Sequence, residues 1–239
     1  MLMATEPTLL RRSIVISGGA SGIGLAVARA ALRNGAKVVV GDRQPVEFRD
    51  PNLGSEIVDF CRSEDVRRFY EVVERRVGVP DVVVAAAGVG VHERLDEGDP
   101  EKWSQVLESN VTGALRLVRT FVPGMAERGS GDVVFISSVA STRPYEYGGA
   151  YAASKAALAM AAETLRIEMA GRIRVTVVSP GMVRTGFFAN HLGGPRPDEF
   201  RGEETLEPED VADAVLYALN RPPRVAINEL VIRPQGQRF

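Results

Sequence analysis

Ser17-Gly-Gly-Ala-Ser-Gly-Ile-Gly24 is the stretch on which the fold turns. It follows a β-branched run at residues 13–17 and opens a segment, 23–34, with helical spacing at Leu25, Ala28 and Leu32. A strand, a glycine-rich turn and a helix in that order aim backbone N–H groups and a positive helix end at a pyrophosphate. Gly18, Gly22 and Gly24 are spaced Gly-x-x-x-Gly-x-Gly, unlike the commoner Gly-x-Gly-x-x-Gly fingerprint. Gly35 closes the helix and a second strand is expected at 37–40, which completes a β-α-β unit. Further strands are expected at 56–59, 81–85, 133–137, 174–179 and 230–232. Seven strands rich in Val and Ile on both faces, separated by helical segments, give the α/β class. The architecture expected is a doubly wound parallel sheet with helices on both faces.

The rest of the composition narrows the function classes. The chain has 239 residues, 45% hydrophobic and 25% charged, with a net charge of −2, which suits one domain spanning 1–239. Residues 1–12 read as a short frayed arm. The stretch 189–204, with Gly-Gly-Pro-Arg-Pro, reads as a surface segment inside an expected substrate-loop region at 182–206. No basic stripe for nucleic acid and no polybasic or apolar membrane segment is present in the sequence. Cys61 is the sole cysteine, so no intrachain disulfide or zinc-type cluster forms, and a cytoplasmic location is expected. The partner expected is a small molecule.

Two further features bear on chemistry. Asp42 ends the second expected strand about twenty residues after the glycine turn, where a carboxylate accepts hydrogen bonds from ribose hydroxyls and repels a 2′-phosphate. That favours NAD, although Arg43 could bind the extra phosphate of NADP. Tyr151 and Lys155, in Tyr-Ala-Ala-Ser-Lys, share one helix face at a spacing of four. A free tyrosine titrates near ~10, so an ammonium beside it is expected to lower its pKa towards the range of a general acid/base. Ser138 leaves the carboxyl end of a strand, where ligands of open α/β sheets collect. Each residue also has a plain reading: a turn-capping serine, a surface lysine, a solvated strand-end carboxylate.

In order and spacing, from about residue 14 to 232, the chain resembles the short-chain dehydrogenase/reductase family, whose fold is of the Rossmann type. The resemblance implies a cofactor site of Gly18, Ser21, Gly22, Ile23, Gly24, Asp42, Arg43, Asp59, Phe60, Ala86, Ala87, Gly88, Tyr151, Lys155, Pro180, Gly181, Val183 and Thr185. It implies a catalytic set of Asn110, Ser138, Tyr151 and Lys155, with no metal. Tyr151 is then the acid/base, Ser138 holds the substrate oxygen, and Lys155 binds the nicotinamide ribose. Asn110 bends its helix and holds a water leading to the lysine, or is a buried amide satisfied by backbone.

Three departures stand out. Ala85-Ala86-Ala87-Gly88 replaces Asn-Asn-Ala-Gly, with a small expected stability cost. Residues 43–56, with Pro45 and Pro51, are too short for the usual helix there. The C-terminal stretch lacks the pattern Val-Asp-Gly-Gly.

The substrate pocket is expected at 90–92, 143–147 and 182–191. Met182, Phe187 and Phe188 suggest an apolar body, and Arg143 or His92 a carboxylate or hydroxyl. Small and apolar residues on helices near 103–121 and 151–169, together with the resemblance, imply a homotetramer. The activity expected is hydride transfer between NAD and a secondary alcohol or ketone. An NADPH-dependent 3-oxoacyl or other biosynthetic ketone reductase and a non-catalytic dinucleotide-binding regulator are the alternatives.

Overall fold

The computed structural model describes residues 9–188, 191–193 and 204–237. Seven parallel strands form one sheet in the order β3-β2-β1-β4-β5-β6-β7. They are β1 (Ser13–Ser17), β2 (Lys37–Asp42), β3 (Leu53–Ile57), β4 (Val82–Ala85), β5 (Asp132–Ile136), β6 (Arg174–Pro180) and β7 (Glu229–Ile232). The helices are α1 (Gly22–Arg33), α2 (Ser63–Val77), α3 (Pro100–Leu107), α4 (Gly113–Arg128), α5 (Gly149–Glu168) and α6 (Pro208–Leu219).

Register explains why the strands read as apolar throughout. Ile14, Val38 and Val82 are in register across β1, β2 and β4, and so are Ile16, Val40 and Val84. All six lie in one apolar cluster with Ala26 and Val27 of α1 and Val211 and Val215 of α6. The residues between them, Val15, Val39 and Val83, point the other way, into a second cluster with Phe69 of α2, Leu117 of α4 and Leu158 of α5. Successive side chains alternate between faces, so a sheet covered on both sides needs apolar residues at every position. The direction of strand order reverses between β1 and β4, which opens a crevice at their carboxyl ends.

The expected fold class stands, and most strand ends agree within a residue or two. The third strand is a correction: expected at 56–59, it runs from Leu53 to Ile57. Only Gly54 of its five residues is buried, so this edge strand lacks a strong apolar signature. Its place is set by pairing, with Val38 N–H donating to Asn52 O and Val58 N–H to Asp42 O. Residues 43–52 contain no helix, as expected, and the coil is held by Arg29 over the Phe48 ring at 5.0 Å.

Of the N-terminal arm, the described part is docked. Leu9 is fully buried and donates to Asn34 O, and Arg12 pairs with Asp132. Residues 1–8, 189–190, 194–203 and 238–239 lie outside the described residues, as does the side chain of Phe188. No described helix is long and apolar enough to cross a membrane, and no described group of three His, Cys, Asp or Glu could hold a metal ion.

Candidate active site

The glycine turn follows β1 because its geometry excludes side chains. Gly18 has φ +74°, and a Cβ there would lie 2.6 Å from Ala87 Cα. At Gly24 a Cβ would collide with Gly18 O, so α1 starts hard against the turn. Asp42 braces the turn from β2: its Oδ2 accepts from Ala20 N at 2.9 Å and its Oδ1 from Gln44 N at 3.0 Å. After β4, Ala86 N–H and Ala87 N–H donate to Ser17 O and Ser17 Oγ. Backbone and one serine thus tie the crevice where the Asn pair is missing.

A cavity of about 310 Å³ runs along these carboxyl ends. It is lined by Gly18, Ser21, Gly22, Ile23, Gly24, Asp42, Arg43, Asp59, Phe60, Ala86, Ala87, Gly88 and Thr185, all expected from the sequence. Gln44, Val58, Cys61, Val89 and Ser109 also line it, and no motif marks them. Burial and then Asp59 push the Cys61 thiol up to about 11, so it is no thiolate nucleophile at neutral pH. The donor-rich turn at a helix start and the carboxylate at the second strand end fit a dinucleotide.

A second cavity of about 140 Å³ is lined by Ser138, Tyr151, Lys155, Pro180, Gly181 and Val183. The two meet at Ile23, Ala86, Gly88, Thr185 and Phe187, which line both. Tyr151 stands at the second cavity against Phe187, ring centroids 5.4 Å apart. Phe187 in turn fits only because Gly90 has no Cβ, which would lie 2.6 Å from its ring.

The catalytic set is brought together by short links. Ser137 Oγ donates to Lys155 O at 3.2 Å and Lys155 Nζ to Ile136 O at 3.0 Å, so α5 is fastened to the end of β5. Asn110 lies in a π-helical turn, Glu108–Thr112, between α3 and α4. Its Oδ1 accepts from Val89 N at 2.8 Å, and its Nδ2 donates to Val89 O and Ser154 Oγ, each at 2.9 Å. It is fully buried, lines neither cavity, and braces the loop after β4 against α5. Here it is the backbone-satisfied amide.

The electrostatics correct one expectation. Helical spacing has Lys155 lowering the tyrosine pKa, yet Tyr151 is pushed up to about 12, because burial outweighs its hydrogen bond with Ser138. Lys155 Nζ is 5.8 Å from the Tyr151 ring centroid, and burial brings its own pKa down to about 8. A cation that is itself desolvated and bonded to a carbonyl does not offset the desolvation of the phenol. Tyr151 therefore holds its proton at neutral pH.

Part of the segments expected to hold the substrate lies at the second cavity. His92, Arg143, Tyr145, Met182, Val183 and Phe187 line the second cavity; Gly90 lies behind Phe187, and Tyr147 is exposed, with φ +66°. His92 is buried and its Nε2 is 2.9 Å from Tyr145 Oη. Burial, and then His191, bring its pKa down to about 4, so it is neutral at physiological pH. Nothing in the sequence marks Gln237, whose Oε1 accepts from Met182 N at 3.1 Å at the wall of this cavity.

Residues 12–193 match the family described as short chain dehydrogenase, and the chain belongs to that family. It is an NAD(P)-dependent oxidoreductase by that membership, which sets aside the non-catalytic alternative. Over 92% of its length it is 31% identical to an uncharacterized oxidoreductase of Staphylococcus saprophyticus, covering 96% of that protein. It is 35% identical to a glycine betaine reductase of Emericella nidulans over 93% of its length, but spans only 19% of that protein. Among solved structures it resembles the closed form of a serine dehydrogenase complexed with NADP+ (TM-score 0.88, 28% identity, 95% of this chain and 96% of that one). An alcohol dehydrogenase of Thermococcus sibiricus complexed with 5-hydroxy-NADP is also similar (TM-score 0.85, 31% identity, 96% and 99%).

Proposed function

We propose that the chain reduces a ketone to a secondary alcohol, or runs the reverse, with Tyr151 as the acid/base. The observation that carries this reading is the meeting of two cavities beside Ser138, Tyr151 and Lys155, one lined as a dinucleotide site would be and the other holding the three side chains. A bound nicotinamide dinucleotide supplies the hydride to the carbonyl carbon. Tyr151 Oη gives its proton to the carbonyl oxygen, which Ser138 Oγ helps to hold. A phenol with a pKa raised to about 12 is suited to this donating direction. Lys155 would bind the cofactor ribose, and Asn110 holds the loop after β4 against α5, the helix that carries Lys155.

For the cofactor we favour NAD(H), because the Asp42 carboxylate lines the cleft at the ribose position. NADP(H) is the second reading, supported by Arg43, which lines the same cleft and pairs with no described acid, and by the two NADP-type complexes among the similar structures. We also read the chain as a cytoplasmic homotetramer. Exposed apolar side chains on α4 and α5, Leu115, Met160 and Ile167, support assembly.

Titration of nicotinamide fluorescence with NADH and NADPH, followed by turnover of Tyr151→Phe, tests the whole reading. The expected result is tighter NADH binding, and in the variant a kcat lower by about 10²–10⁴-fold at unchanged cofactor affinity. Tighter NADPH binding would make Arg43 the deciding residue. Turnover unaffected by Tyr151→Phe would remove the proposed acid/base.

A further inference from the structure

Gln237 arrives at the second cavity from beyond β7, and it is only 8% exposed. The Met182 N–H can only donate, so the amide atom 3.1 Å from it is the oxygen, and the orientation of the carboxamide is fixed. Its NH2 group is therefore turned away from Met182. No described residue accepts a hydrogen bond from Nε2. The backbone is shaped around this amide: a Cβ on Gly181 would collide with Gln237 Oε1.

Arg143 lines the same cavity, is exposed, and pairs with no described acid. Its backbone is anchored, with N–H donating to Val139 O at 3.0 Å. His92 is neutral and hydrogen-bonded to Tyr145, so it brings no charge of its own. Apart from the Ser138, Tyr151 and Lys155 cluster, the wall offers the Gln237 amide and the Arg143 guanidinium, and no carboxylate among its described lining residues. Gln237 Nε2 is not among the fully buried unpaired polar atoms of the described residues, so a ligand in the cavity can reach it.

A group that only accepts hydrogen bonds and carries negative charge matches this pair. We propose that Gln237 and Arg143 form a carboxylate subsite, so that the substrate is a small hydroxy or oxo acid. The proposal rests on the oxidoreductase reading only for the identity of the reacting end; the subsite itself needs no turnover.

Calorimetric titration of the full chain with butyrate and with 1-butanol, with and without NADH, tests it. Butyrate is expected to bind at least tenfold more tightly than 1-butanol. Gln237→Glu, which keeps the oxygen for Met182 N and replaces the donor by negative charge, is expected to lose at least tenfold in butyrate affinity. Its NADH affinity is expected to stay within twofold of the parent. Arg143→Gln, at an exposed side chain, is expected to lose butyrate affinity likewise, and serves if Gln237→Glu fails to fold. Equal binding of butyrate and 1-butanol, or unchanged butyrate affinity in the variants, overturns the subsite while leaving the oxidoreductase reading in place. A butyrate preference without NADH or NADPH binding supports the subsite and overturns that reading instead.

Discussion

Acidification from pH 7.5 to 5 charges histidines in the unfolded chain, whereas His92 in the fold, 2% exposed, resists protonation down to about pH 4. Between pH 6.5, its ordinary value, and about 4, the unfolded chain binds a proton that the native one does not. Stability therefore falls as pH falls through this window, and the full loss is reached below about pH 4. At about 1.4 kcal/mol per pH unit, the separation between the two values amounts to about 3 kcal/mol, of which about 2 kcal/mol is lost by pH 5. The perturbation is His92→Gln, which keeps a polar side chain near Tyr145 and removes the titration. Urea unfolding of parent and variant at pH 7.5 and 5 gives the comparison, because carboxylate effects elsewhere are common to both. The parent should lose about 2 kcal/mol more than the variant. Equal losses, or an NMR titration of His92 centred near its ordinary value, would refute the reasoning.

Gly18 and Gly129 offer a paired test of close packing against backbone strain, since their φ angles are +74° and +78° but only Gly18 has neighbours within 4 Å. Gly129→Ala should cost about 1–2 kcal/mol in urea unfolding, whereas Gly18→Ala, facing immovable Ala87 backbone, should cost about 2–6 kcal/mol and abolish dinucleotide binding. Met160 and Ile167, 67% and 63% exposed on α5, should be covered in the assembly; Met160→Glu with Ile167→Glu should shift sedimentation to smaller species, and a parent chain already monomeric would refute assembly.

What was legible in the sequence was local. The glycine turn and the Tyr151–Lys155 spacing are decided within a few residues by sterics and helix pitch, so both could be placed by number. The core strands were legible because burial on two faces demands apolar residues at every position. β3 is displaced from its expected position because Leu53-Gly-Ser-Glu-Ile57 has little apolar pattern and depends on β2 for its register. The tyrosine pKa goes the other way because spacing gives adjacency, not the balance between burial and charge. Gln237 is invisible for a similar reason: its partner, Met182, lies 55 residues earlier, and nothing local marks a chain that folds back on itself.

That return has a consequence for the order in which the protein is completed on the ribosome. Every residue lining the dinucleotide cavity lies at or before Phe187 in the chain. The wall of the substrate cavity is closed only when Gln237 has been synthesised. The nucleotide crevice is lined without it, although α6, which covers one face of the sheet, also comes after Phe187. On the proposed reading, the residue that selects the substrate is thus the lining residue latest in the described chain.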